Sequence, residues 1–244
     1  MSIPALIYSG LVILVAGIIR GYSGFGFSMI AVISLSLVMP PTEIVPVILV
    51  LEVVASVWLL PQIWRQIHWK SISWLSIGVL LGTPLGVYLL ANVATRPMRV
   101  AIAIVVFVLA LFLWNRASFK TVPGRVKTVM TGLVSGLLNG SATIGGPPVI
   151  LFYLSTPTEA AVSRASMIAL FLGTDTFAFM LCTVQGLVTP TTGIICASSL
   201  LPLLLGLGLG KHFFSRSKAD VFRRLVIILL MVLALIALGR SIWV

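Results

Sequence analysis

Apolar residues fall along this chain in ten blocks, at 4–19, 27–39, 43–60, 71–94 and 97–114, then 127–138, 147–156, 159–182, 189–211 and 219–242. Polar and basic residues are confined to the short connectors between them. About 20 apolar residues suffice to cross a bilayer core as helix, so most of these blocks predict transmembrane helices. The second block of each set of five is shorter, and at 1.5 Å per residue it does not span the bilayer. Each set is therefore expected to open with a gapped or re-entrant pair of helices.

The two sets of five are copies of one pattern. When GIIRGYSGFGFSMI is laid over GLLNGSATIGGPPV, Gly17 falls on Gly136, Gly21 on Gly140 and Gly26 on Gly145. Pro41, Thr42 and Glu43 then fall on Pro157, Thr158 and Glu159, and the spaced pair Gly82 and Gly86 falls on Gly206 and Gly210. The organisation expected is a first transmembrane repeat at 1–114, a cytoplasmic linker at 115–126 and a second repeat at 127–244. Thr42 and Thr158 are expected to cap the helices they precede, with Glu43 and Glu159 complementing the helix dipoles.

Composition agrees with this pattern. Of 244 residues 59% are hydrophobic and 9% charged, against about 25% charged in a soluble domain. The net charge of +11 would suggest nucleic acid in a soluble protein. Here the basic residues sit in the connectors, where they orient a membrane protein, and no nucleic-acid partner is expected. Cys182 and Cys196 lie inside apolar blocks, which gives no support to a disulfide framework. The first block lacks a basic flank before it and reads as a retained helix rather than a cleaved signal.

The distribution of charge also orients the copies. The connector at 61–70 carries Arg65 and Lys70, whereas its counterpart near 183–190 has no charge. With 61–70, the linker together with Lys127, and 211–224 inside, eleven basic residues are cytoplasmic, and only Arg96, Arg99 and Arg240 lie outside. The positive-inside rule then predicts an all-α polytopic protein of two inverted-topology repeats, with both termini periplasmic in a bacterial inner membrane.

The Gly-rich stretches RGYSGFGFS and NGSATIGGPP interrupt helices that would otherwise run on. Non-helical backbone at membrane depth survives only where protein or a watery cavity satisfies it. In inverted-repeat transporters such breaks face each other near the midplane, with half-helix N-termini directed at an anion. The candidate substrate-binding residues are therefore Arg20, Ser23, Gly24, Phe25 and Gly26 in the first break, and Asn139, Ser141, Thr143, Gly145 and Gly146 in the second. A structural alternative is that the glycines serve close helix packing, for which Gly132, Gly136 and Gly140 have the right spacing.

Charged residues within apolar blocks are functional hypotheses by default. Arg164 is a candidate for binding the anion, and Asp175, eleven residues on and on nearly the same helix face, for proton coupling or charge balance. Glu52 reads as a packing or pairing residue, because its counterpart in the second repeat is Ile168. His68 and His212 lack metal-ligand company, so neither metal nor cofactor is expected. The partners expected are a small anion, the lipid bilayer and protons as coupling ion.

At these residues the chain resembles the TauE/SafE family, the sulfite exporters of bacterial membranes. The resemblance rests on the Gly-Phe-Gly break at 24–26, the proline pair before Thr42 and Glu43, His68-Trp69, the GxPxG at 82–86 and IGGPP at 144–148. It implies a transporter that exports sulfite or small organosulfonates such as sulfoacetate. In the first break Phe27-Ser28 stands where the second has Gly146-Pro147, so the two are chemically unequal. An anion channel or an importer of a sulfur compound is the alternative within transport. An intramembrane enzyme is the alternative outside it, although neither HExxH nor GxSxG is present.

Overall fold

A computed structural model describes residues 3–23, 25–114, 123–154 and 156–214, and positions 228, 231–236 and 239 beyond them. Gly24, the side chain of Ser23, residues 115–122 of the expected linker and most of the expected last helix lie outside the described residues. The described chain is helical throughout. In order it forms α1 (Ile3–Ser23), α2 (Phe27–Leu35), α3 (Pro41–Ile63), a 3-10 turn (Trp64–Gln66), α4 (Trp69–Asn92) and α5 (Thr95–Trp114), then α6 (Arg125–Ala142), α7 (Gly146–Leu154), α8 (Ala160–Val184) and α9 (Pro190–Phe214).

Helices α3, α4, α5, α8 and α9 are long and apolar enough to cross a bilayer, and the protein is a multi-pass membrane protein. Large apolar side chains such as Leu81, Leu85, Ile194 and Leu201 face outward, as lipid contact requires. At nine residues each, α2 and α7 reach only about 14 Å, near half of a hydrocarbon core of about 30 Å. Helix α2 is apolar on every side and buried on almost every side, from Phe27 to Leu35. It is enclosed by α1, α3 and α5, so it is core rather than lipid surface.

Two seams of small residues hold the bundle, and both join the two halves of the chain. Helix α1 packs along α9, and α4 along α6, as the most extensive helix pairs. In the first seam a Cβ on Gly206 would stand 2.5 Å from the Leu14 carbonyl oxygen, Gly21 and Gly210 face the opposing backbone as closely, and a Cβ on Gly17 would stand 3.1 Å from the Leu203 oxygen. In the second a Cβ on Gly136 would stand 2.6 Å from the Val79 oxygen, with Gly78, Gly82, Gly86, Gly132 and Gly140 along the same line. Lipid is as apolar as leucine, so membrane helices associate through such close packing rather than through hydrophobic burial. Residue numbers rise together along both seams, so each pair runs parallel.

The expected threonine caps are not formed. Pro40, extended at φ −69° and ψ 144°, is the residue before α3, with Pro41 in the first helical position and Thr42 already inside the turn. A proline suits that first position because its missing N–H would have had no partner. Glu43 remains in the first turn, where it complements the dipole. Before α8 the capping position belongs to Glu159, and the Thr158 hydroxyl lies 2.8 Å from that of Thr156 instead.

Candidate functional site

The chain leaves helical geometry between α1 and α2 and again between α6 and α7. Gly26 precedes α2 with φ 90° and ψ −10°, a left-handed conformation that glycine adopts without steric cost. At the second interruption the left-handed residue is Thr143, with φ 59° and ψ 22°. A β-branched residue in this region is strained by about 1–3 kcal/mol. What holds it is a helix-ending motif: the Thr143 N–H donates to the Asn139 carbonyl at 2.8 Å, and the Ile144 N–H to that of Leu138 at 3.2 Å. Ser135 adds a hydroxyl bond to the Gly145 carbonyl at 2.7 Å, pinning the break to the helix it leaves.

Between these interruptions lies a small cavity lined by charged and polar side chains among apolar ones. Arg20, at the C-terminal turn of α1, is 1% exposed and projects into it. Its Nη2 stands 2.9 Å from Glu52 Oε2 and donates to the Ser56 hydroxyl at 2.9 Å, both on α3 one turn apart. The guanidinium carbon also lies 5.8 Å from the centre of the Phe171 ring. On the other side of the cavity Asn139 of α6 donates from Nδ2 to Asp175 Oδ1 of α8 at 2.8 Å. Glu52, Asn139 and Asp175 are all buried. Moving an ion out of water costs several kcal/mol even after relaxation, so Arg20 and Glu52 persist here through their mutual contact, and Asp175 is held by the Asn139 amide.

The cavity is also lined by Phe25, Gly26, Ser28 and Met29 from the first half, and by Thr143, Gly146, Pro147 and Phe171 from the second. Its volume of about 10 Å³ has room for a single water. Of the residues expected from sequence, Arg20, Phe25, Gly26, Asn139, Thr143, Gly146 and Asp175 are thus brought together. Three others lie outside the lining. Ser141 bonds weakly back to the Leu138 carbonyl at 3.4 Å. Gly145 is packed so tightly that a Cβ would stand 2.9 Å from both the Asn139 Cβ and the Ser135 oxygen. Arg164 is half-buried and donates from Nη2 to the Gly21 carbonyl at 3.2 Å, just before the first interruption.

The residue that sequence reasoning placed outside the site is Glu52. The pairing expected of it is present, but the partner is Arg20 and the location is the cavity. A carboxylate within an apolar block was the available signal. Among the described residues no three His, Cys, Asp or Glu side chains are grouped as metal ligands.

The family model for the sulfite exporter TauE/SafE matches residues 9–237. The probable sulfite/organosulfonate exporter TauE of Cupriavidus necator is 25% identical over 202 residues, covering 78% of this chain and 77% of that protein. No solved structure matches the chain.

Proposed function

The chain belongs to the sulfite exporter TauE/SafE family, and from that premise we propose that it is a secondary transporter exporting sulfite or a small organosulfonate such as sulfoacetate across a bacterial inner membrane. The observation that carries this reading is Arg20, a buried guanidinium in a cavity between two helix interruptions. A guanidinium remains charged at any accessible pH and offers a planar fork that matches two oxygens of a sulfite or sulfonate group. The substrate is held near the midplane by Arg20 and by the backbone N–H groups that open α2, whereas α7 opens on Gly146, Pro147 and Pro148 and offers the Gly146 N–H alone among these three. Arg164, one turn of chain away from that site at the Gly21 carbonyl, supplies a second positive charge on the approach.

The inverted arrangement and periplasmic termini belong to the same proposal. Each seam joins the first helix of one repeat to the fourth of the other, as exchange about a pseudo-twofold axis requires. Trp64, Trp69 and Trp114 are exposed at the ends of α3 to α5 that adjoin Arg65, Lys70 and the linker, the aromatic and basic signature of a cytoplasmic interface. The small size of the cavity, with room for one water, supports a carrier over an open anion channel.

The test is binding and flux with purified protein. Sulfite and sulfoacetate should bind wild type by calorimetry and leave proteoliposomes with saturable kinetics. Arg20→Ala should abolish binding, Arg164→Lys weaken it partially and Arg164→Ala severely, each protein remaining folded in detergent. Absence of binding by wild type, or normal binding by Arg20→Ala, overturns the reading.

A further inference from the structure

The cation best placed to hold the substrate is already occupied. Glu52 Oε2 sits 2.9 Å from Arg20 Nη2, in a cavity with room for one water. A sulfonate or sulfite group cannot join this arrangement by simple addition. It needs the volume and the guanidinium face that the Glu52 carboxylate holds. The charges point the same way, since Arg20 supplies one positive charge and Glu52 and Asp175 two carboxylates. With both ionised, the lining is net negative, and a dianion entering it meets repulsion in a poorly screened medium.

We propose that Glu52 is a tethered competitor of the substrate for Arg20, and that it leaves the guanidinium when it takes up a proton, so that one proton is bound with each anion. This rests on the reading of the cavity as an anion site. In the step itself, a proton from water on the open side adds to a Glu52 carboxylate oxygen. The ion pair with Arg20 becomes a contact with a neutral acid, and the anion's oxygens replace it on the guanidinium. On the far side the proton returns to water, Glu52 regains its charge and the re-formed pair expels the anion. The cycle leaves no unpaired guanidinium in the membrane at any stage, which is the state with the largest cost.

The surroundings of Glu52 leave few other groups to titrate in its place. Arg20 faces it from α1 and Asp175 from α8. Arg164 of α8 is directed to the Gly21 carbonyl, and Cys196 of α9 approaches the α3 carbonyl of Val47 at 3.9 Å. Helices α2, α4, α5, α6 and α7 bring no titratable side chain to the lining, and Arg99 of α5 donates to the Met39 carbonyl at 3.1 Å. Asp175 differs from Glu52 in its partner, because it accepts from the neutral amide of Asn139 and does not occupy the cation.

Sulfoacetate is the suitable probe, because it stays dianionic over the working pH range. Wild-type protein in weakly buffered detergent should take up about one proton per anion bound, read with a pH indicator. Its affinity should then fall about ten-fold per pH unit as pH rises, the slope that linkage assigns to one proton. Glu52→Gln should bind sulfoacetate more tightly than wild type at pH 8, with an affinity independent of pH, and should lose the net flux in which a proton accompanies the anion while keeping anion exchange. Asp175→Asn should retain the wild-type slope. Binding by wild type without proton uptake overturns the proposal and leaves the anion site standing, and that measurement needs no variant. An unchanged slope in Glu52→Gln, or a flat one in Asp175→Asn, moves the proton to Asp175 and also overturns it. Failure of wild type to bind any of these anions removes both readings.

Discussion

Replacing Gly206 with alanine adds one methyl group, at a point where α9 meets the backbone of α1. The new Cβ would stand 2.5 Å from the Leu14 oxygen and 3.0 Å from the Cα of Gly17, against an ordinary contact of 3.4 Å or more. The shortfall of about 0.9 Å is against backbone, which cannot rotate away as a side chain end does. The helices must therefore separate, and a gap of 0.5–1 Å forfeits about a quarter to a half of each dispersion contact it opens. Overpacking of this kind costs about 1–3 kcal/mol. Gly208, two residues along the same helix, has nothing within 4 Å of its Cβ position. Alanine there should be neutral or raise stability by up to about 1 kcal/mol, through the lower conformational entropy of the unfolded helix. Thermal unfolding of the two variants in one detergent, followed by tryptophan fluorescence, should place Gly206→Ala below wild type and Gly208→Ala at or above it. Equal midpoints would show that the α1–α9 seam does not carry the packing assigned to it.

Two further outcomes are expected. In a background with Cys182 and Cys196 replaced by alanine, an impermeant thiol reagent should label Gln185→Cys from outside intact cells and Gln66→Cys only after permeabilisation; labelling of both from one side would refute the inverted arrangement. Thr143→Gly should relieve the left-handed strain and raise the unfolding midpoint, by about 1 kcal/mol or more of stability, while slowing anion flux through a looser break; a midpoint below wild type would mean that the Thr143 side chain supports the turn more than its backbone strains it.

Much of the helical plan was legible because lipid imposes a simple rule on composition. The blocks at 71–94 and 159–182 became α4 at Trp69–Asn92 and α8 at Ala160–Val184, within about two residues at each end. The packing use of Gly132, Gly136 and Gly140 was legible too, since a four-residue spacing puts small residues on one face whatever the partner. The identity of that partner was not. Nothing local to α6 specifies α4, because the choice depends on how the whole bundle closes. The same limit governed the site. Arg20 and Glu52 lie on different helices, and each alone reads as a buried charge in need of a partner, so sequence could give the need and not the pairing. Thr42 misled for a local reason: two prolines ahead of it set the helix start two residues earlier than a threonine cap would.

The parallel seams also govern the order in which the protein can be built. Gly17 and Gly206 are separated by almost the whole chain, whereas Gly82 and Gly136 are separated by little more than one helical hairpin. During synthesis α4 and α6 can therefore meet soon after α6 enters the bilayer, and α1 must remain among lipid until α9 arrives. Helix association in a membrane follows insertion, so this delay is tolerated without loss of the inserted helices. Neither half contains the parallel seam partner of its own first helix. Joining the two halves in one chain makes the late arrival of α9 the step that closes the seam along α1, the helix that carries Arg20.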